Sequence, residues 1–227
     1  MKAKPRHNTK TLLLLLGCML PWLIFGLLAV TIETSGHFLG DRRVLSFLNQ
    51  HASPGLDKLA IGFTNVGDTG PMMGLGLLTV LGLVRRKQRR EALIFALAVG
   101  GSMLLTQVLK PLFARSRPDL WVSIKPVFTY SFPSGHAMDT AAVATAVGFL
   151  LWQFRARWPT RVLGPLFVLG VGWSRMYLGV HFPSDVLAGW VGSVGWVGGM
   201  HLLFDRSALD LRRLWRDTRT YWLARHG

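Results

Sequence analysis

The chain has 227 residues, of which half are hydrophobic and only 16% charged, and a formal net charge of +15. Soluble domains carry about 25% charged residues. Here the mean hydropathy is +0.34 and the apolar residues gather in runs rather than at helical or strand period, which excludes an ordinary soluble enzyme and indicates membrane spans. The cations cluster beside those runs, with no zinc spacing, recognition helix or aromatic platform, so the expected partner is the bilayer with its anionic headgroups and not nucleic acid.

A basic head of Lys2, Lys4, Arg6 and Lys10 precedes the first apolar segment, residues 12–32. The run continues well past Cys18, beyond the roughly 7–15 residues of a signal-peptide core, so an uncleaved helix is expected. Cys18 is the only cysteine, which excludes an intrachain disulfide. Residues 41–62 mix Val44, Leu45, Phe47, Leu48, Leu56, Leu59 and Ile61 with charges. They read either as a helical segment lying on the membrane or as one packed on the bundle.

The second apolar segment, 67–84, is the weakest, being short and glycine-rich. Arg85, Arg86, Lys87, Arg89 and Arg90 separate it from the third, 92–109. A polar cluster, Lys110 to Arg117-Pro118, closes that helix. Trp121, Phe128, Tyr130 and Phe132 follow, aromatics that suit a membrane interface. A second cluster, Pro133-Ser134-Gly135-His136, opens the fourth segment, 137–152. Arg155, Arg157 and Arg161 lead to the fifth, 162–180, which holds Arg175 within an apolar run, where an ionisable residue marks a functional site. The third cluster starts at Ser174-Arg175 and runs to His181 and Asp185, opening the sixth segment, 186–204. A tail over 205–227 alternates arginines with Leu211, Leu214, Trp215, Tyr221 and Trp222.

Of the 26 Lys and Arg residues, 18 fall in the two termini and the basic connections, and 8 on the other side. The positive-inside rule then predicts a six-helix transmembrane bundle with both termini cytoplasmic and an interfacial helical segment between helices 1 and 2. Neither a repeat nor a second domain is visible, so 1–227 reads as one integral-membrane domain, with the polar motifs at 110–185 on the extracytoplasmic face.

Each cluster alone has a plain reading: snorkelling cations, a turn with its N-cap, or a helix cap. Together they bring Lys110, Arg117 and Arg175 to one depth without a matching number of acids. That set suits a phosphate dianion, since Arg offers a flat fork and Lys a point charge. Ser134 can donate its hydroxyl, the amides of Gly135 and His136 open a helix where an anion is favoured, and Gly135 admits close approach. One histidine can attack phosphorus if a carboxylate holds its other ring nitrogen, and the second can move the proton. His181 with Asp185 and His136 with no such neighbour fit those roles, though the residues alone do not settle which histidine attacks. A metal site at His136, His181 and Asp185 is the rival reading, disfavoured by three cations that would repel a divalent ion. No cofactor is expected.

These residues resemble the type 2 phosphatidic acid phosphatase superfamily, the lipid phosphate phosphatases that share their site with vanadium haloperoxidases. The family pattern K-x6-RP, PSGH and SR-x5-H-x3-D is matched by Lys110, Arg117-Pro118, Pro133 to His136, Ser174-Arg175, His181 and Asp185. The resemblance implies an all-α fold and a hydrolase without metal. It also implies Lys110, Arg117, Ser134, Gly135, His136 and Arg175 around phosphate, His181 as nucleophile oriented by Asp185, and His136 as acid and base. The substrate class implied is a membrane lipid phosphate or pyrophosphate, such as undecaprenyl pyrophosphate, phosphatidylglycerophosphate or phosphatidate. The enzyme would sit in the plasma (inner) membrane with its site facing outward. A lipid-linked phosphotransferase using the same phosphohistidine is the alternative, and the motifs do not distinguish among the lipids.

Overall fold

The computed structural model describes residues 6–36, 38–153 and 158–204, with side chains given except at 6–15, 152–153 and 158–161. Over these residues every regular element is a helix, in the order α1 Arg6–Ser35, α2 Asp41–Gln50, α3 Pro54–Val66, α4 Thr69–Arg85, α5 Arg89–Phe113, α6 Gly135–Gln153, α7 Trp158–Tyr177 and α8 Pro183–Phe204. The basic tail over 205–227 lies outside the described residues.

Each of the six expected apolar segments falls mainly on a helix, with 67–68 preceding α4 and 178–180 following α7. Leu16–Ser35 within α1, together with α5 and α8, is long and apolar enough to cross a membrane. A fourth span results if α3 and α4, bent by 44° at a short break, count as one. α6 is apolar but shorter, over Gly135–Leu151.

The segment at 41–62, expected on the membrane surface or packed on the bundle, divides into two helices with different settings. α2 follows Gly40, whose φ of 91° a side chain would strain, and exposes Val44 and Phe47. α3 begins at the Ser53 N-cap with Pro54 in its first turn, the position where a missing N–H costs nothing. Rather than lying free, α3 packs along α7, with Ala60 and Thr64 fully buried. Asp68 then starts α4 by accepting the Thr69 N–H at 2.7 Å.

α8 is the axis of the packing, touching α1, α5 and α6. Between helices in lipid, association rests on close van der Waals contact at small residues, and the glycines of α8 supply it. Gly192 receives Phe25 and Gly195 receives Trp22, while Gly189 meets the start of α6. A Cβ at Gly189 would stand 2.8 Å from Ser134 O and 2.9 Å from Ala137 Cβ. The obstruction is backbone, which cannot rotate away. Gly189→Ala should therefore push α6 off α8, lowering the thermal midpoint and activity together, whereas Gly74→Ala, at a glycine with open space around its Cα, should leave both unchanged. Parallel melting and turnover measurements in detergent check this.

Candidate active site

The three polar clusters converge where α5 ends, α6 and α8 begin and α7 ends. Leu109 and Phe113 of α5 pack with buried Phe132, and Phe132 lies edge-on to Phe113 at 4.9 Å, so the loop entering α6 is anchored by apolar contact. The Ser134 N–H then donates to Asp185 O at 3.1 Å, tying the start of α6 to the start of α8. At the end of α7, the N–H groups of Val180 and His181 both donate to Arg175 O, at 3.2 and 3.3 Å. That turn folds His181 back over the residues that precede it.

Lys110 and Arg117 reach the same strip of loop. Lys110 Nζ donates to Tyr130 O at 2.7 Å, and a Cβ built on Gly135 would lie 3.8 Å from Lys110 Cε. A side chain at 135 would thus stand beside the lysine head. Arg117 Nε donates to Thr129 O at 2.6 Å, Nη2 to Thr129 Oγ1 at 3.0 Å and Nη1 to Val180 O at 2.6 Å. Its Nη1 is also 3.1 Å from His181 Nε2. Burial pulls the Arg117 guanidinium down to about 10, with Asp185 opposing. It remains charged at neutral pH.

His181 is fully enclosed. Burial, and then the neighbouring Arg117, hold its imidazole well below the ordinary range, so it is neutral at physiological pH. An arginine can only donate, so Nε2 is the lone-pair nitrogen facing Arg117 and Nδ1 carries the proton. Nδ1 is 3.4 Å from Ser131 Oγ and 3.6 Å from Asp185 Oδ2. Asp185 Oδ2 in turn accepts from Ser131 Oγ at 2.5 Å and from the Phe182 N–H at 2.9 Å. The first-turn position that Pro183 gives Asp185 delivers the carboxylate to His181, as the spacing predicts.

Arg175 is buried in α7 with Nη1 donating to Thr64 Oγ1 at 2.5 Å. Three buried polar atoms of motif residues have no hydrogen-bond partner among the described residues, Ser134 Oγ, His136 Nε2 and Arg175 Nε; Arg115 Nε behind them has none either. Buried polar groups are nearly always satisfied, and these three belong to residues that the motifs single out for an anion. His136 Nε2 stands 3.6 Å from Asp68 Oδ1, across the break between α3 and α4. The arrangement can take an anion on its donors, attack it from His181 Nε2 and pass a proton through His136.

A family model described as the PAP2 superfamily matches residues 91–208, more than half of the chain and all of the motif positions. The chain belongs to the PAP2 superfamily. Phosphatidylglycerophosphatase B of Bacillus subtilis is 29% identical over 173 residues, covering 74% of this chain and 85% of that protein. An undecaprenyl-diphosphatase of Sulfolobus acidocaldarius is 35% identical over 119 residues, covering 50% of this chain and 55% of that protein. The crystal structure of a transmembrane PAP2 type phosphatidylglycerolphosphate phosphatase from Bacillus subtilis superimposes with a TM-score of 0.75 at 28% identity, over 84% of this chain and 98% of that one.

Around the PAP2 motifs stand residues that the sequence reading passed over. Thr64 holds Arg175, Ser131 sits between Asp185 and His181, Asp68 faces His136, and Thr129 braces Arg117. Arg115 sits inside the first motif, yet it reads in the sequence as one more outer-side cation. In this PAP2 chain it is 6% exposed and bonded to two carboxylates. The signal available for it was its place between Lys110 and Arg117, but nothing local names its partners, Asp41 and Asp185.

Proposed function

We propose that the protein hydrolyses a membrane lipid phosphate or pyrophosphate at the end of the bundle where the three motifs meet, through a phosphohistidine on His181 and without a metal. Membership of the PAP2 superfamily and the names of the relatives support lipid phosphate hydrolysis. The observation that carries the site reading is the set of buried polar atoms on Ser134, His136 and Arg175 without hydrogen-bond partners among the described residues, beside the lone-pair nitrogen of His181.

Lys110, Arg117, Arg175 and Ser134 would hold the phosphoryl oxygens, with the amides of Gly135 and His136 at the start of α6. His181 Nε2 attacks phosphorus, and the bond to the leaving oxygen breaks as His136 protonates it. Water, deprotonated by His136, then cleaves the P–N bond and returns both histidines to their starting states. Phosphoryl transfer needs chiefly positioning and charge stabilisation, and four fixed donors supply both. The test is phosphate release from a panel of phosphatidylglycerophosphate, phosphatidate and undecaprenyl pyrophosphate in mixed micelles, in excess EDTA and with vanadate. Phosphate release that survives EDTA and stops with vanadate is expected; activity lost in chelator and restored by magnesium or zinc would overturn the mechanism.

The charge distribution supports six crossings with both termini cytoplasmic, in the plasma membrane, and the site facing outward. Two exposed positions on opposite connections test this sidedness in a Cys18→Ser background: Val122 in the loop between α5 and α6, and Arg86 between α4 and α5. In intact cells, Val122→Cys should react with an impermeant thiol reagent and Arg86→Cys should not. Reversed labelling would place the chemistry in the cytoplasm.

A further inference from the structure

A second buried polar cluster lies behind the phosphate-facing donors, centred on Arg115. Its guanidinium is shared by two carboxylates from distant parts of the chain. Nη2 donates to Asp41 Oδ2 at 2.9 Å and Nη1 to Asp185 Oδ1 at 2.5 Å. Nη1 also donates to Ser184 Oγ at 2.8 Å, and the guanidinium carbon lies 4.3 Å from the centre of the Phe182 ring. Asp41, in the first turn of α2, accepts in addition from the Ser184 N–H at 3.0 Å and Ser184 Oγ at 2.5 Å. Arg115 O accepts the Ser131 N–H at 2.9 Å, so the same residue fixes the serine that touches both Asp185 and His181.

Arg115 and Asp41 hydrogen-bond to none of Lys110, Arg117, Ser134 and Arg175 among the described residues. Whatever they contribute passes through Asp185 and Ser131. A guanidinium is a rigid planar fork. With one prong on Asp41 and the ring of Phe182 below it, the other prong sets the plane of the Asp185 carboxylate. Oδ1 is then committed to Arg115, and Oδ2 alone is left for Ser131, the Phe182 N–H and the Nδ1 side of His181. We infer that Arg115, braced by Asp41, is a positioning residue that fixes the Asp185 carboxylate and through it the Nδ1-protonated tautomer of His181. This rests on the reading of His181 as nucleophile. It also gives α2 a task beyond lying at the membrane surface, because the first turn of α2 supplies the brace.

The test is a double-mutant cycle with two independent readouts. Arg115→Gln should lower kcat by about a hundredfold, an effect in the direction of a lost histidine tautomer. KM and the half-inhibiting vanadate concentration should stay within about threefold, since no phosphate-facing donor changes. In an Asp185→Asn background the same substitution should cost less than about threefold more, because coupled residues do not add. Asp41→Asn should act in the same direction with a smaller loss. The second readout is the 15N spectrum of histidine-labelled protein in detergent. Its His181 signal should show protonated Nδ1 in the wild type and a tautomer mixture in Arg115→Gln. Should Arg115→Gln not fold, Asp41→Asn and Arg115→Lys run the same cycle. Full additivity with Asp185→Asn, or an unchanged His181 signal alongside a loss of kcat, would overturn the inference. A changed tautomer in a wild-type background that releases no phosphate from any lipid would leave the positioning standing and refute the phosphatase reading instead.

Discussion

His181→Ala should abolish turnover of a lipid phosphate and all covalent labelling by a radiolabelled substrate, whereas His136→Ala should slow turnover by about a hundredfold or more and still permit slow labelling when the leaving group needs no proton. The difference follows from where the two rings stand. His181 is enclosed and neutral, with Nε2 turned to Arg117 and Nδ1 to Ser131 and Asp185. Its lone-pair nitrogen and its ring orientation are fixed by these partners, which a nucleophile requires. His136 heads α6 with Nε2 near the Asp68 carboxylate and free of hydrogen bonds among the described residues, an arrangement suited to carrying a proton rather than holding a covalent group. Aryl and alkyl phosphates compared side by side separate the roles, because only the alkyl leaving group depends on an acid. Normal phosphohistidine formation in His181→Ala, or equal losses for both substrates in His136→Ala, would reverse the assignment.

Arg175→Lys is expected to lower kcat/KM by about a hundredfold to a thousandfold, although the charge is kept. Removing one donor from a preorganised anion site costs about that much, and lysine replaces a five-donor planar fork with a point charge. Arg175 is buried, spends Nη1 on Thr64 and leaves Nε unpartnered. A lysine could not reach Thr64 and the anion at once. Thr64→Val removes only the brace and should cost about tenfold, as expected when a charged hydrogen bond worth roughly 1.5 kcal/mol is lost. Steady-state kinetics with vanadate inhibition measured in parallel check the pair. Weaker vanadate binding in Arg175→Lys is part of the expected result. Near-normal kinetics in that variant would remove Arg175 from the phosphate set.

The bent pair α3 and α4 marks the limit of reading spans from hydropathy. Asp57, Lys58 and Asn65 interrupt the apolar character of α3, so residues 41–62 read as a segment lying on the membrane or packed on the bundle, and the second apolar segment reads only from 67. Packing against α7 gives α3 its place, with Phe63 against Gly170 and Thr64 reaching Arg175. Those contacts join residues more than a hundred positions apart, and no local window contains them.

What the sequence by itself determined is the membrane character, the helical segments and the motif residues, because each is written in short range. Long apolar runs need only a window of about 20 residues, and Pro183 before Asp185 sets a helix start within one turn. Spacing alone therefore put Asp185 in the first turn beside His181. Tertiary structure decided which charges work on one another. Arg115 and Arg42 look alike in the sequence, as outer-side cations near apolar residues. In the fold Arg115 is buried between Asp41 and Asp185, while Arg42 is exposed on α2. The cost of taking a charge out of water is recovered only by specific partners, and Arg115 and its partners come from three distant stretches of chain that meet only when the fold has formed.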